Sequence, residues 1–136
     1  MTDKTTILKL FNTHLFEFMD ELSVLFPDNM DIKASINLFQ LTKTANASLL
    51  VKIWYTYVES QYGDILREGN LDYFLDKDYK DDLVNLPNAA NALRAIDMLR
   101  KPVKETSEIN KQHSLNYIVN LCKMSAAYND LTNSNL

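Results

Sequence analysis

The sequence contains only two glycines and three prolines among its 136 residues. Sandwiches and barrels of short strands need turn-forming residues at regular intervals, and this chain does not supply them. Helices are instead built from long stretches without such breaks. The scarcity of both residue types therefore argues against an all-β architecture and favours an all-α fold.

Cysteine and long apolar runs are also scarce. The single cysteine, Cys122, excludes an intramolecular disulfide, and its apolar sequence neighbours are typical of a buried thiol. No apolar run approaches the roughly 18 residues needed to cross a bilayer. The N-terminus carries Asp3 where a signal peptide would be basic. These absences predict an intracellular protein without membrane insertion.

Basic residues are outnumbered, because 14 Lys and Arg stand against 18 Asp and Glu, for a formal net charge of −4. Non-specific binding to nucleic acid comes mainly from Lys and Arg that neutralise phosphates. The charge balance therefore argues against nucleic acid as a partner. Hydrophobic residues make up 46% of the chain, which is ordinary for one globular domain of this length.

Three segments of the first half have apolar residues at the three- and four-residue spacing of an amphipathic helix. The first ends before Pro27, because proline cannot continue a helix. The second covers about residues 31–43. The third runs from about Ala47 to Gly63, which is predicted to stop it. Trp54 is expected on its apolar face, mostly buried against the first helix, with its polar edge at the border of the core.

The second half begins with an irregular acidic segment, residues 64–86, in which we expect short helical turns and loop. A fourth helix follows Pro87 and is predicted to end at Pro102. A fifth begins at Thr106 or Ser107. The sequence thus predicts an all-α fold, a compact bundle of about five helices with the acidic segment between helices 3 and 4.

One domain is expected over residues 1–128, followed by a polar C-terminal tail at residues 129–136. The helical spacing places Leu25 of the first helix and Ile109 of the fifth on inward faces. No internal repeat divides the chain.

No catalytic, metal-binding or cofactor-binding constellation is recognisable. The acidic run 76–82 resembles a calcium loop, but Lys80 occupies a ligand position and Asp81 replaces the glycine that such a loop requires. His14 and Glu17 have the spacing of one half of a di-iron site, and no second copy with histidine exists. We therefore expect no metal, no cofactor and no enzymatic activity.

Charge is unevenly distributed along the chain. Residues 59–82 hold eight acids against three bases, and residues 94–104 hold four bases against one acid. Complementary charge favours the encounter and register of proteins. We therefore predict that both segments lie at protein contacts. The candidate contact residues are Asp72, Asp76, Asp78, Asp81, Asp82, Arg94, Arg100, Lys101 and Lys104.

Two stretches combine aromatic and acidic residues in a distinctive order. One is F-N-x-x-L-x-E-F-x-x-E-L-x-x-L-F-P from Phe11 to Pro27, followed by Asp31 and Ile32, and the other is D-x-F-L-x-K-D-Y over residues 72–79. Together they resemble a family of small, largely uncharacterised proteins of nucleocytoplasmic large DNA viruses, the group of phycodnaviruses and giant viruses. The resemblance covers about residues 11–85, and its motifs name no reaction.

The resemblance implies a virion component. Large icosahedral particles of this kind use many small helical proteins that join and space the major capsid protein. We therefore expect a non-enzymatic minor capsid protein that contacts other viral structural proteins or itself, in the virion and inside the host cell during assembly. Two alternatives stay open: an intracellular adaptor or regulatory protein that binds a host or viral partner, and a small enzyme of unrecognised type.

Overall fold

The computed structural model describes residues 3–76 and 90–134, and 89% of these residues are helical. No strand occurs among them. The prediction of an all-α bundle is therefore confirmed, with six helical segments instead of about five. Within the described ranges, no helix combines the length and the apolar character that crossing a membrane would require.

Seven α-helices and one π-helical turn lie in the described ranges. In chain order they are α1 (Lys4–Leu25), α2 (Met30–Ala45), α3 (Leu49–Trp54), a π-helical turn (Tyr55–Glu59), α4 (Ser60–Arg67), α5 (Leu71–Asp76), α6 (Ala90–Glu105) and α7 (Glu108–Ser134). The π turn joins α3 and α4 without a break, so these three elements form one continuous helix.

Side-chain caps fix the starts of the first two helices. The Asp3 carboxylate accepts a hydrogen bond from the Thr6 amide at 2.7 Å, and the Asn29 side chain accepts one from the Ile32 amide at 3.0 Å. Each cap satisfies a backbone N–H group that the helix itself leaves unpaired. Between them, α1 ends before Pro27, as the sequence predicts.

The most extensive contacts between helices are those of α1 with α7 and of α2 with α6. The α1–α7 pair is antiparallel, because Lys4 lies over the Tyr128 ring while His14 contacts Tyr117. In the second pair, the buried Ser35 hydroxyl donates to the Ala95 carbonyl at 2.8 Å. This bond ties α2 to the backbone of α6 inside the core.

Trp54 lies in the centre of the core, with 1% of its surface exposed. Its ring meets Phe11 of α1 edge-on, with centroids 6.1 Å apart. The predicted packing against the first helix is confirmed, but the side chain is fully buried instead of lying at the border. Its indole N–H has no oxygen acceptor and lies beside the Cys122 thiol, which is a weak acceptor.

Three predicted boundaries were wrong. Gly63 lies inside α4, and the continuous helix ends at Arg67, two residues before Gly69, whose φ of 92° suits a residue without a side chain. Pro102 lies inside α6, where it and Val103 are buried, so core packing holds the last turn despite the missing N–H. The polar tail is helical as far as Ser134, since Leu131 packs against the core.

Candidate protein-contact surface

The predicted contact residues of the acidic and basic segments fall into three groups. Asp72, Arg94 and Lys101 are exposed on α5 and α6. Asp78, Asp81 and Asp82 lie outside the described residues. The remaining three, Asp76, Arg100 and Lys104, make contacts within the chain.

Arg100 is buried, with 3% of its surface exposed, so it is not an intermolecular contact in this fold. Its Nε donates to the backbone carbonyl of Phe74 at 2.9 Å, and Nη2 donates to the same oxygen. The guanidinium also lies 5.3 Å from the centroid of the Phe74 ring. Because a buried cation must be hydrogen-bonded, Arg100 serves to hold the end of α5 against α6.

Lys104 pairs with Asp76, the last residue of α5. The hydrogen bond to this carboxylate raises the pKa of Lys104 above its usual range. The acidic and basic segments therefore meet each other where α5 packs on α6. These observed contacts are internal to the chain, and a contact of either segment with another protein stays a prediction.

A second charged cluster closes the π turn. Arg67 donates from Nη1 to the two Glu59 oxygens at 2.9 and 3.1 Å, and from Nη2 to Asp64 at 2.6 Å. Hydrogen bonds to Asp64 and Glu59 raise the pKa of Arg67. The Glu59 carboxylate fills the space over Gly63, where an added Cβ would lie 2.3 Å from Oε2. The charges of Glu59 and Arg67 are thus paired with each other within one helix.

Cys122 lies next to this cluster and is fully buried. Burial raises the pKa of the thiol to about 12, and the Trp54 N–H only partly opposes that shift. A thiol needs to ionise to act as a nucleophile, so Cys122 stays inert near neutral pH. The predicted core role of this residue agrees with its burial.

An open groove lies between the C-terminal part of α1 and the N-terminal part of α7. Its volume is about 480 Å³, within the range of roughly 300–1,000 Å³ typical of binding sites. The wall is mainly apolar and the rim is polar. The lining residues are Asp20, Glu21, Val24, Leu25, Asn110 and His113.

Large apolar residues are exposed at the same end of the molecule. Val24 at the end of α1 is 79% exposed, Ile109 at the start of α7 is 73% exposed, and Met30 at the start of α2 is 72% exposed. Leu25 is also exposed, so the inward placement predicted for Leu25 and Ile109 was wrong. We name Val24, Leu25 and Ile109 the apolar end.

Aromatic rings continue from the groove toward the core. Tyr117 of α7 stacks on Phe18 with centroids 5.1 Å apart, and its ring is tilted against that of His14 with centroids 4.6 Å apart. Burial, together with the Glu21 carboxylate, raises the pKa of Tyr117. These ring contacts hold Tyr117 of α7 against α1, next to the groove residue Glu21.

The α1 side of the groove is strongly acidic. Residues 10–32 contain five acids and no Lys or Arg, and three of these acids, Glu17, Asp20 and Glu21, are exposed on the C-terminal part of α1. On α7, Lys111 lines a different hollow from this groove and lies 3.7 Å from Glu108 on its own helix. The rim therefore carries unbalanced negative charge.

The groove has no metal-binding arrangement, since nowhere in residues 3–76 and 90–134 do three His, Cys, Asp or Glu side chains gather as ligands. Comparison with protein-family models, with curated proteins and with solved structures yields no match. The groove was missed by sequence reasoning, although one signal was present. Val24 is an apolar residue away from the inward stripe of α1, where a polar residue is usual.

Proposed function

We propose that this chain is a non-enzymatic structural protein that works by protein–protein contact, as a minor capsid protein of a large DNA virus. The contact role is supported by the apolar end, where Val24, Leu25 and Ile109 are exposed beside an acidic groove. Clustered exposed apolar residues with a polar rim are typical of interaction sites. Proposed partners are other viral structural proteins or copies of this chain.

The virion setting is supported by the resemblance of the first motif, at Phe11 to Pro27. Phe11 and Phe18 of that motif are buried, so core packing explains them. Glu17, Glu21 and Leu25 of the same motif are exposed at or beside the groove. Packing does not require these three residues, and a shared contact surface would explain their place in the motif.

Particle composition tests this proposal. Particles of the encoding virus are purified through two different gradients, and the chain is quantified against the major capsid protein by mass spectrometry. We expect a constant ratio in both preparations, and cross-links from the carboxylates of Asp20 or Glu21, which line the groove, to another structural protein. A chain that is lost on purification would contradict the virion role.

The adaptor alternative uses the same surface and differs in location. If the chain is absent from particles but forms a stable complex with one non-structural protein in infected cells, the adaptor function replaces the capsid function. The enzyme alternative would require that the purified chain convert a small molecule without any partner. Each alternative function therefore predicts a different experimental result.

A further inference from the structure

We propose that the groove between α1 and α7 binds a basic amphipathic helix of a partner protein. This inference rests on the proposed function, because it names the partner class for the same contact surface. It has two supports, the shape of the groove and its charge.

The shape fits a helix. Two antiparallel helices leave a seam between them, and a third helix laid along that seam completes a packed layer. At the other end of the same pair, α3 and the π turn cover the seam and bury Trp54 against Phe11. At the open end Val24 and Leu25 line an equivalent seam that no described element covers. Apolar residues spaced three and four positions apart on a partner helix would fit this open seam.

The charge specifies the partner further. Glu17, Asp20 and Glu21 are spaced three and four residues apart, so they lie along one side of α1. A docked helix with Lys or Arg beside its apolar stripe would place these cations against the three carboxylates. An acidic helix would meet repulsion at the same positions. The partner helix is therefore basic.

A second copy of this chain fits the groove less well. A symmetric dimer through this face would bring two acidic rims together. The exposed cations Arg94 and Lys101 of α6 could approach the rim, but the large exposed apolar residues lie on other helices among those described. A basic face without apolar anchors would leave Val24 and Leu25 uncovered. A different chain is therefore the occupant that we infer.

The test uses three synthetic 18-residue peptides and the full chain. The first has Leu at helical spacing and Lys at the flanking positions, the second replaces each Lys by Glu, and the third scrambles the first to remove its amphipathic pattern. Binding is measured by calorimetry and mapped by amide chemical shifts. We expect the basic amphipathic peptide to bind at least about tenfold more tightly than the others, and more weakly as salt rises.

Matched variants locate the site. Asp20→Asn with Glu21→Gln removes two charges at the groove, and Glu68→Gln with Glu105→Gln removes two exposed charges elsewhere. The groove pair should weaken binding about tenfold, while the control pair changes it less than about twofold. Val24→Ser should also weaken binding, and Leu41→Ser, at an exposed apolar residue of α2, should not.

Three results would overturn the inference. They are equal binding of the scrambled peptide, equal weakening by both charge pairs, and self-association of the chain that the groove variants abolish. The result of the peptide test does not depend on whether the capsid proposal is correct. A chain absent from particles can still bind the basic peptide, and a chain present in particles can still fail to bind it.

Discussion

The α1–α7 pair is closed at one end and open at the other. At the closed end, Phe11 of α1 and Cys122 of α7 are fully buried under the helix that carries Trp54. At the open end, Val24 and Ile109 of the same two helices are exposed. Both ends have apolar residues, so the presence of apolar side chains does not by itself distinguish them. The difference is whether a third helix covers the seam.

This comparison separates stability from contact. Apolar side chains contribute to folding in proportion to the area that folding removes from water. The closed end should therefore account for much of the stability, and the open end should contribute little until a partner covers it. The following substitutions test that division.

The largest effect is expected at the centre of the closed end. Trp54→Ala should lower the free energy of unfolding by about 3–5 kcal/mol, because it leaves a large cavity against Phe11. Chemical denaturation measures the loss. Trp54→Phe keeps an aromatic ring at the site and should cost clearly less. A loss below about 1 kcal/mol for the alanine variant would show that the site is not core.

Because of the buried thiol at the closed end, the free energy of unfolding should decrease as the pH becomes alkaline. The folded state holds the pKa of Cys122 at about 12, against 9.0 for an ordinary thiol, so it favours the neutral form. This contribution is complete below pH 9 and is lost as pH rises toward 12, by about 1.4 kcal/mol per pH unit.

Cys122→Ala has no titrating thiol and serves as the reference for that measurement. The stability difference between wild type and this variant should shrink as pH rises above 9. Denaturation curves between about pH 8 and pH 10.5 measure it. A difference that stays constant with pH, or rapid alkylation of the thiol in the native protein, would contradict the predicted burial.

A smaller effect on the free energy of unfolding is expected at Gly63, and it depends on the residue at position 59. Alanine is a better helix former than glycine by about 1 kcal/mol, but its Cβ would displace the Glu59 carboxylate from Arg67. In wild type the two effects should nearly cancel. In a Glu59→Ala background, Gly63→Ala should stabilise by up to about 1 kcal/mol. Equal effects in the two backgrounds would show that Glu59 does not occupy this space.

The smallest effect on stability is expected at the open end. Val24→Ser should change the free energy of unfolding by less than about 0.5 kcal/mol, since 79% of the residue is already exposed. Thermal unfolding of the free protein measures this change. A loss near that of Trp54→Ala would mean that the apolar end belongs to the core, and the comparison of the two ends would fail.

Much of the fold could be predicted because helical spacing is a local signal. The end of α1 before Pro27 and the burial of Trp54 follow from single residues and their periodicity. The helix continues through Gly63 and Pro102 because side-chain packing decides their effect. The Glu59 carboxylate of the same helix occupies the space over Gly63, and core packing holds the turn that contains Pro102.

The candidate site was harder to predict, because it depends on which helix faces stay uncovered. Periodicity places Leu25 and Ile109 on apolar stripes, but it does not say where the covering helix ends. Charge segregation likewise indicates contact without saying whether the contact is internal. Arg100 and Lys104 meet α5 of their own chain, which only the fold reveals.

The π turn sets the rotational phase of the helix on either side of it. The amide of Ser60 bonds to the Tyr55 carbonyl five residues back, so the turn holds one residue more than an α-helical turn. A deletion in a plain α-helix rotates everything after it by about 100°. Because the π turn already absorbs one extra residue, deleting one residue from Tyr55–Glu59 would restore an α-helix and keep Tyr62 and Leu66 directed into the core. This turn is therefore the one part of the described helix in which a single-residue deletion should preserve the packing of the residues that follow.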